Sequence, residues 1–243
     1  ILSGLVGSEM CIRDRYIACF RLSRGLLSIA MEMENKSEKT DKPRKKGGRP
    51  LSFDREAALE RAMLVFWRYG YEAASLSELT SAMGITPPSL YAAFGDKEQL
   101  FLEAVERYST KRCDALQDMF AQAPTARDAI ERLLQSSAVD NTCPSHPPGC
   151  LVVMAATNCS ASAEHVQTVM TERRENIEGM ITARIEQGIQ EGELPTSIDA
   201  ATLANFYAAV LQGMTMQARD TCDRDKLLAI ASAAMRAWPV AKA

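Results

Sequence analysis

The 243-residue chain is long enough for one or two domains with a substantial apolar core. With 47% apolar and 24% charged residues it has an ordinary globular composition, and a net charge of −3 excludes a uniformly basic nucleic-acid coat but not a local basic patch. Seven cysteines, an odd number with no CxxC pair, argue against a disulfide framework or a zinc ribbon and for a reduced, cytoplasmic compartment.

Residues 1–30 are set apart from the rest. Their apolar runs are broken by Arg13, Asp14, Arg15, Arg21 and Arg24, which excludes a spanning helix and makes a poor signal peptide. The stretch "LVGSEMCIRDR" resembles a translated sequencing adapter. We therefore expect residues 1–30 to be a non-native extension, with Met31 or Met33 as the natural start; the alternative is a disordered or weakly helical extension. Neither reading gives the segment a function. Residues 31–49 form a polar arm that cannot bury a core, and its end is basic through Lys42, Arg44, Lys45, Lys46 and Arg49.

From Phe53 a helical period takes over. Leu59, Ala62, Met63 and Phe66 predict a helix ending near Tyr69, with Gly70 as its stop. In "SLSELTSAMGI", Ser75 and Glu78 have capping-box spacing. Leu79, Ala82 and Met83 are expected to turn inward, and Gly84 supplies a turn. Thr86 caps a third helix with Pro87 at its first position, and Leu90 and Phe94 form its inner face. Asp96 and Gln99 then start a long helix reaching about Gln122. Further helices are expected near 126–139, 150–158, 164–191, 198–219 and 223–238, with "CPSHPPGC" at 143–150 a loop and Gly192 closing the longest. The chain reads as all-α.

Two short helices joined by a glycine turn form a helix-turn-helix, and here a basic arm precedes it and a further helix start follows it. A helix amino end carries unpaired N–H groups and partial positive charge, suited to phosphate. On this reading the third helix enters the major groove, while the fourth aims its amino end and an exposed Lys97 at the backbone. Residues 49–101, with "ALERAMLVFWRYGYEAASL", the turn "AMGI" and above all "SLYAAFGDKEQL", resemble the DNA-binding domain of the Tet repressor (TetR/AcrR) family.

The resemblance implies phosphate contacts by Ser75, Tyr91 and Lys97, and a groove-facing start formed by Thr86, Pro87, Pro88 and Ser89. It also implies a twofold dimer on a near-palindromic double-stranded operator, recognition helices roughly 34–36 Å apart or a multiple of that. The domain division expected is a helix-turn-helix domain over 50–96 and a helical effector and dimerisation domain over 97–243. Pro88 removes a donor, and Ala92 and Ala93 cannot hydrogen-bond a base edge, so arm contacts and DNA shape gain weight.

The last two helices, with small and large apolar residues interleaved in "AATLANFYAAVLQGMTMQA", are the expected dimer surface. Candidate lining for an unidentified small-molecule effector is Met119, Phe120, Cys150, Leu151, Met154, Met170 and Phe206. Cys143, His146, Cys150 and Cys159 raise a second possibility, a redox or electrophile sensor acting through Cys150, with metal sensing ranked below it. No metal, cofactor, membrane or catalytic role is assigned. A helical protein-interaction module without DNA binding is the rival reading.

Overall fold

Asp54 opens the first helix by accepting the amides of Glu56 and Ala57 at 3.0 and 3.1 Å, which satisfies donors that the helix itself cannot. The computed structural model describes residues 53–157 and 159–239. The extension at 1–30 and the basic arm, including Arg44, Lys45, Lys46 and Arg49, lie outside the described residues. Nine α-helices and no strand occur among the described residues: α1 (Arg55–Ala73), α2 (Leu76–Met83), α3 (Pro87–Phe94), α4 (Lys97–Gln122), α5 (Ala126–Asn141), α6 (Leu151–Met154), α7 (Glu164–Gln190), α8 (Ala200–Thr221) and α9 (Arg224–Met235). None is long and apolar enough to cross a membrane.

Two apolar cores organise these helices. The first joins Leu59 and Phe66 of α1 to Leu79, Leu90, Leu100 and Phe101 on the next three helices, and to Leu151, Val166 and Met170 from α6 and α7. Phe66 meets Phe101 edge-on, with centroids 5.0 Å apart. The second core holds Leu116 and Phe120 of α4 with Ile130, Ile181, Ile185, Tyr207, Met214 and Trp238. Helices α4 and α7 therefore run through both cores. A fully buried Leu or Phe contributes about 1.5–3 kcal/mol, so each core is a firm anchor.

One inward expectation fails in this region. Ala82 is exposed, because α2 is only two turns long and its buried stripe is taken by Leu79, Thr80 and Met83. At the other end of α1, Gly70 departs from helical geometry at φ 81° and lets Tyr71 donate its amide to the Ala155 carbonyl at 2.7 Å. A Cβ on Gly70 would lie 3.2 Å from that carbonyl oxygen, so the left-handed backbone and the close approach together call for glycine.

Candidate nucleic-acid interface

Three helices begin within about two dozen residues of one another, and their amino ends differ in what they leave open. At α2, Ser75 and Glu78 complete a capping box: the Ser75 hydroxyl accepts the Glu78 amide at 3.1 Å and donates to its carboxylate at 2.7 Å, while the Ser75 amide donates to the same oxygen at 2.9 Å. Those two hydrogen bonds hold the Glu78 carboxyl below the usual glutamate range. The donors of Ser75 are thus committed. The amides of Leu76 and Ser77 have no partner among the described residues.

Gly84, at φ 70°, caps α2 in the left-handed conformation and turns the chain into α3. There Thr86 accepts the Ser89 amide at 3.4 Å and shares a 2.9 Å hydrogen bond between the two hydroxyls. Pro87 and Pro88 carry no N–H, and the Leu90 amide goes to the Thr86 carbonyl. This corrects the sequence reading: α3 keeps no spare amide at its start. It offers the exposed side chains of Thr86, Pro87, Pro88, Tyr91 and Ala92, with Ser89 half-buried beside them. Tyr91 is 49% exposed.

At α4, Asp96 accepts the amides of Gln99, at 2.8 Å, and Leu100, at 3.0 Å. The amides of Lys97 and Glu98 have no partner among the described residues, so α4, like α2, retains open donors at its positive end. Lys97 itself is not the freely exposed lysine expected. Its ammonium donates to the Glu72 carbonyl at 3.2 Å and lies 4.7 Å from the Tyr71 ring centroid. Burial lowers its pKa, and the charge of Glu72 opposes that shift.

Side chains that sequence reasoning passed over hold this arrangement. Arg55 donates to the Ala93 carbonyl at 3.2 Å and to Glu103 at 2.7 Å, and its guanidinium lies 4.4 Å from the Phe94 centroid. It fastens the end of α3 to α1 and α4 at once. The hydrogen bond to Glu103 raises the Arg55 pKa against a smaller desolvation effect. Arg61 donates to the Met83 carbonyl at 3.4 Å, next to the Gly84 turn. Glu72 accepts both the amide and the hydroxyl of Ser160, tying the end of α1 to the approach to α7.

The expected effector lining does not assemble as one wall. Leu151 and Met170 belong to the first core, while Phe120, with Met119 packed against it, belongs to the second. Met154 is buried. Phe206 is 41% exposed on the outer face of α8, so it cannot line an interior pocket of the single chain; the inner face there is taken by Ala204, Tyr207 and Ala208. Cys150 receives the Tyr108 hydroxyl at 3.3 Å, and Arg112 lies 5.4 Å from the Tyr108 centroid while pairing with Asp140 at 2.6 Å. Burial pushes the Tyr108 phenol well up, which keeps it a proton donor. Cys143 shares a 3.1 Å contact with Ser145, and His146 stacks on Trp67 with centroids 4.3 Å apart. Burial, with the charge of Glu72, raises the Cys159 thiol pKa. No cluster of three metal-ligating side chains occurs among the described residues.

A three-helix head with an exposed α3 start, flanked by open amides on α2 and α4, is the architecture of a helix-turn-helix DNA-binding regulator. The pattern described as "Bacterial regulatory proteins, tetR family" matches residues 58–104, and that described as "Tetracyclin repressor-like, C-terminal domain" matches residues 126–235. The chain is 32% identical to the HTH-type transcriptional repressor ComR of Escherichia coli (strain K12), over 84% of this chain and 97% of that protein. It is 27% identical to the HTH-type transcriptional repressor BdcR of the same organism, over 80% of this chain and 94% of that one. Among solved structures, a cysteine-substituted TetR family regulator CifR, complexed with 26-bp double-strand operator DNA, shares 44% identity and a TM-score of 0.77, with 79% of this chain and all of that one covered. The chain belongs to the TetR family of bacterial regulatory proteins.

Proposed function

We propose that the chain is a cytoplasmic transcriptional repressor that binds a near-palindromic operator as a homodimer and is released by a small-molecule effector. The observation that carries this reading is the pair of open amino ends, α2 and α4, set on either side of the exposed start of α3. The Leu76, Ser77, Lys97 and Glu98 amides receive phosphates, and Thr86, Pro87, Pro88, Ser89 and Tyr91 meet the groove. Ser75 acts by fixing α2, and the basic arm, Arg44 to Arg49, adds backbone contacts. Residues 50–96 serve as the DNA-binding domain and 97–243 as the effector and dimerisation domain. Two copies meet through α8 and α9, where Phe206 and Met216 are 41% and 43% exposed. Operator binding to DNA from upstream of the gene, titrated against salt, tests the reading. Affinity must fall with a log–log slope of about −0.9 per phosphate neutralised by a lysine or arginine. A flat response favours a protein-interaction module instead.

A second reading has its own support. The Tyr108 hydroxyl aimed at the Cys150 sulfur makes Cys150 a candidate thiol switch at the foot of the head, because a fixed donor favours the thiolate that attacks an electrophile. An electrophile bonded there displaces that hydrogen bond and presses on Tyr108, which packs against Trp67 of α1 at 4.9 Å.

A further inference from the structure

A groove of about 670 Å³ lies between α1, α2 and the loop at 143–147. Leu64 and Val65 of α1 contribute apolar surface to a lining that is polar for the most part. Arg61 and Arg68 stand at either end of that apolar surface, seven residues apart on one face of the helix and so about 10.5 Å apart along its axis. Ser77 and Ser81 place hydroxyls on the α2 wall, and His146 lines the loop wall, held there by its stack on Trp67.

The charges are unevenly engaged. Arg68 is exposed and has no hydrogen bond or ion pair among the described residues. Among the described residues Arg61 makes only the 3.4 Å bond to the Met83 carbonyl. The carboxylate in the lining, Glu78, is already occupied by the amide and hydroxyl of Ser75. A lining that sets two arginines and several hydroxyls beside the apolar surface of Leu64 and Val65 suits an amphipathic body carrying a negative charge.

We propose that this groove binds an amphipathic organic anion of the arylcarboxylate class, and that its occupancy weakens operator binding. The coupling runs through Arg61. Its guanidinium braces the carbonyl at the end of α2 and lies 3.5 Å from where a Cβ on Gly84 would sit. With its carboxylate held by Arg68, the aromatic body reaches toward Arg61; a guanidinium that turns to stack on that ring leaves the Met83 carbonyl and removes a brace from the turn that sets the start of α3. Linkage is reciprocal, so operator DNA must weaken anion binding by the same factor. The coupling part rests on the DNA-binding reading; the binding part does not.

The probe is 2-naphthoate, compared with the uncharged 2-naphthamide. Calorimetry without DNA is expected to show naphthoate binding, at least tenfold weaker in Arg68→Gln, and no binding of the amide. Arg68 is exposed, so this variant should fold; Ala82→Glu, which places a negative charge on the α2 wall, provides an independent second variant. Equal binding by wild type and both variants, equal binding of the amide, or no heat at millimolar naphthoate overturns the site. Saturating naphthoate is then expected to weaken operator affinity at least fivefold. An operator that binds equally well with naphthoate bound overturns the coupling. If no operator binds at all, the repressor reading fails, and calorimetry alone decides the groove. Should Arg68→Gln itself weaken operator binding without any ligand, the arginine serves the duplex and the proposal is overturned.

Discussion

The Glu72 carboxylate accepts the Ser160 hydroxyl at 2.7 Å and its amide at 2.9 Å, while the Glu72 carbonyl receives Lys97 at 3.2 Å. One residue at the end of α1 thus touches both the start of α4 and the approach to α7. The approach to α7 and the α4 amino end are linked through one residue outside the apolar core.

Glu72→Gln should loosen that tie. The Ser160 hydrogen bonds, side chain first and amide second, hold the Glu72 carboxyl below the usual 4.5. The contribution is therefore full above the unfolded-state value and is lost as pH falls through the lower folded value. Hydrogen exchange at the Ser160 amide should accelerate in the variant at pH 7 and, in the wild type, only on acidification into that lower range. Unchanged protection in the variant refutes the tie.

Arg55→Ala should cost about 1–2 kcal/mol in urea unfolding, because the Ala93 carbonyl and Glu103 lose a shared charged donor. Arg55→Lys should recover little, since an ammonium cannot span both acceptors with a planar fork. A double-mutant cycle with Glu103→Gln measures the pair. Zero coupling between the two positions removes Arg55 as the clamp on α3.

Tyr91→Phe and Lys97→Ala should each weaken binding to all DNA sequences alike. The salt slope should shrink by about 0.9 for Lys97→Ala, which removes a cation, and stay unchanged for Tyr91→Phe, whose hydroxyl is neutral. For Lys97 this requires the ammonium to leave the Glu72 carbonyl on the duplex or to act from where it stands. A Lys97→Ala protein with the wild-type slope confines the α4 contribution to its amides.

Phe206→Asp should convert a dimer to a monomer at micromolar concentration in sedimentation velocity, with the thermal midpoint of the fold little changed. The side chain is outward and half exposed, so a charge there meets water in the monomer and a partner's apolar surface in the dimer. A dimer that survives the change moves the interface elsewhere.

Tyr108→Phe should slow alkylation of Cys150 by iodoacetamide severalfold, because the thiolate that attacks carbon and expels iodide loses the donor that favours it. A wild-type Cys150 that reacts no faster than free cysteine ends the thiol-switch reading.

Local patterns carried most of the fold in the sequence, because caps act over three residues. Asp96–Gln99, Thr86–Ser89 and Ser75–Glu78 all form as their spacing predicts. What stayed hidden depends on distant partners. Arg55 and Glu103 are 48 positions apart, and Glu72 and Ser160 are 88 apart, so no window along the chain joins them. Lys97 looked free because its acceptor is a backbone carbonyl, which sequence cannot single out. Phe206 looked like lining because an apolar residue on a helix serves an inner or an outer face equally well. The loss of open amides at α3 is half legible: two prolines are visible in the sequence, but the commitment of the Ser89 and Leu90 amides to Thr86 exists only in the folded turn.

The seam where Gly70 meets the Ala155 carbonyl also limits how such proteins can be recombined. A reader head taken from another regulator and spliced onto this sensor half needs a residue without a side chain at that position. With any other residue there, the graft has to be re-angled before it can seat.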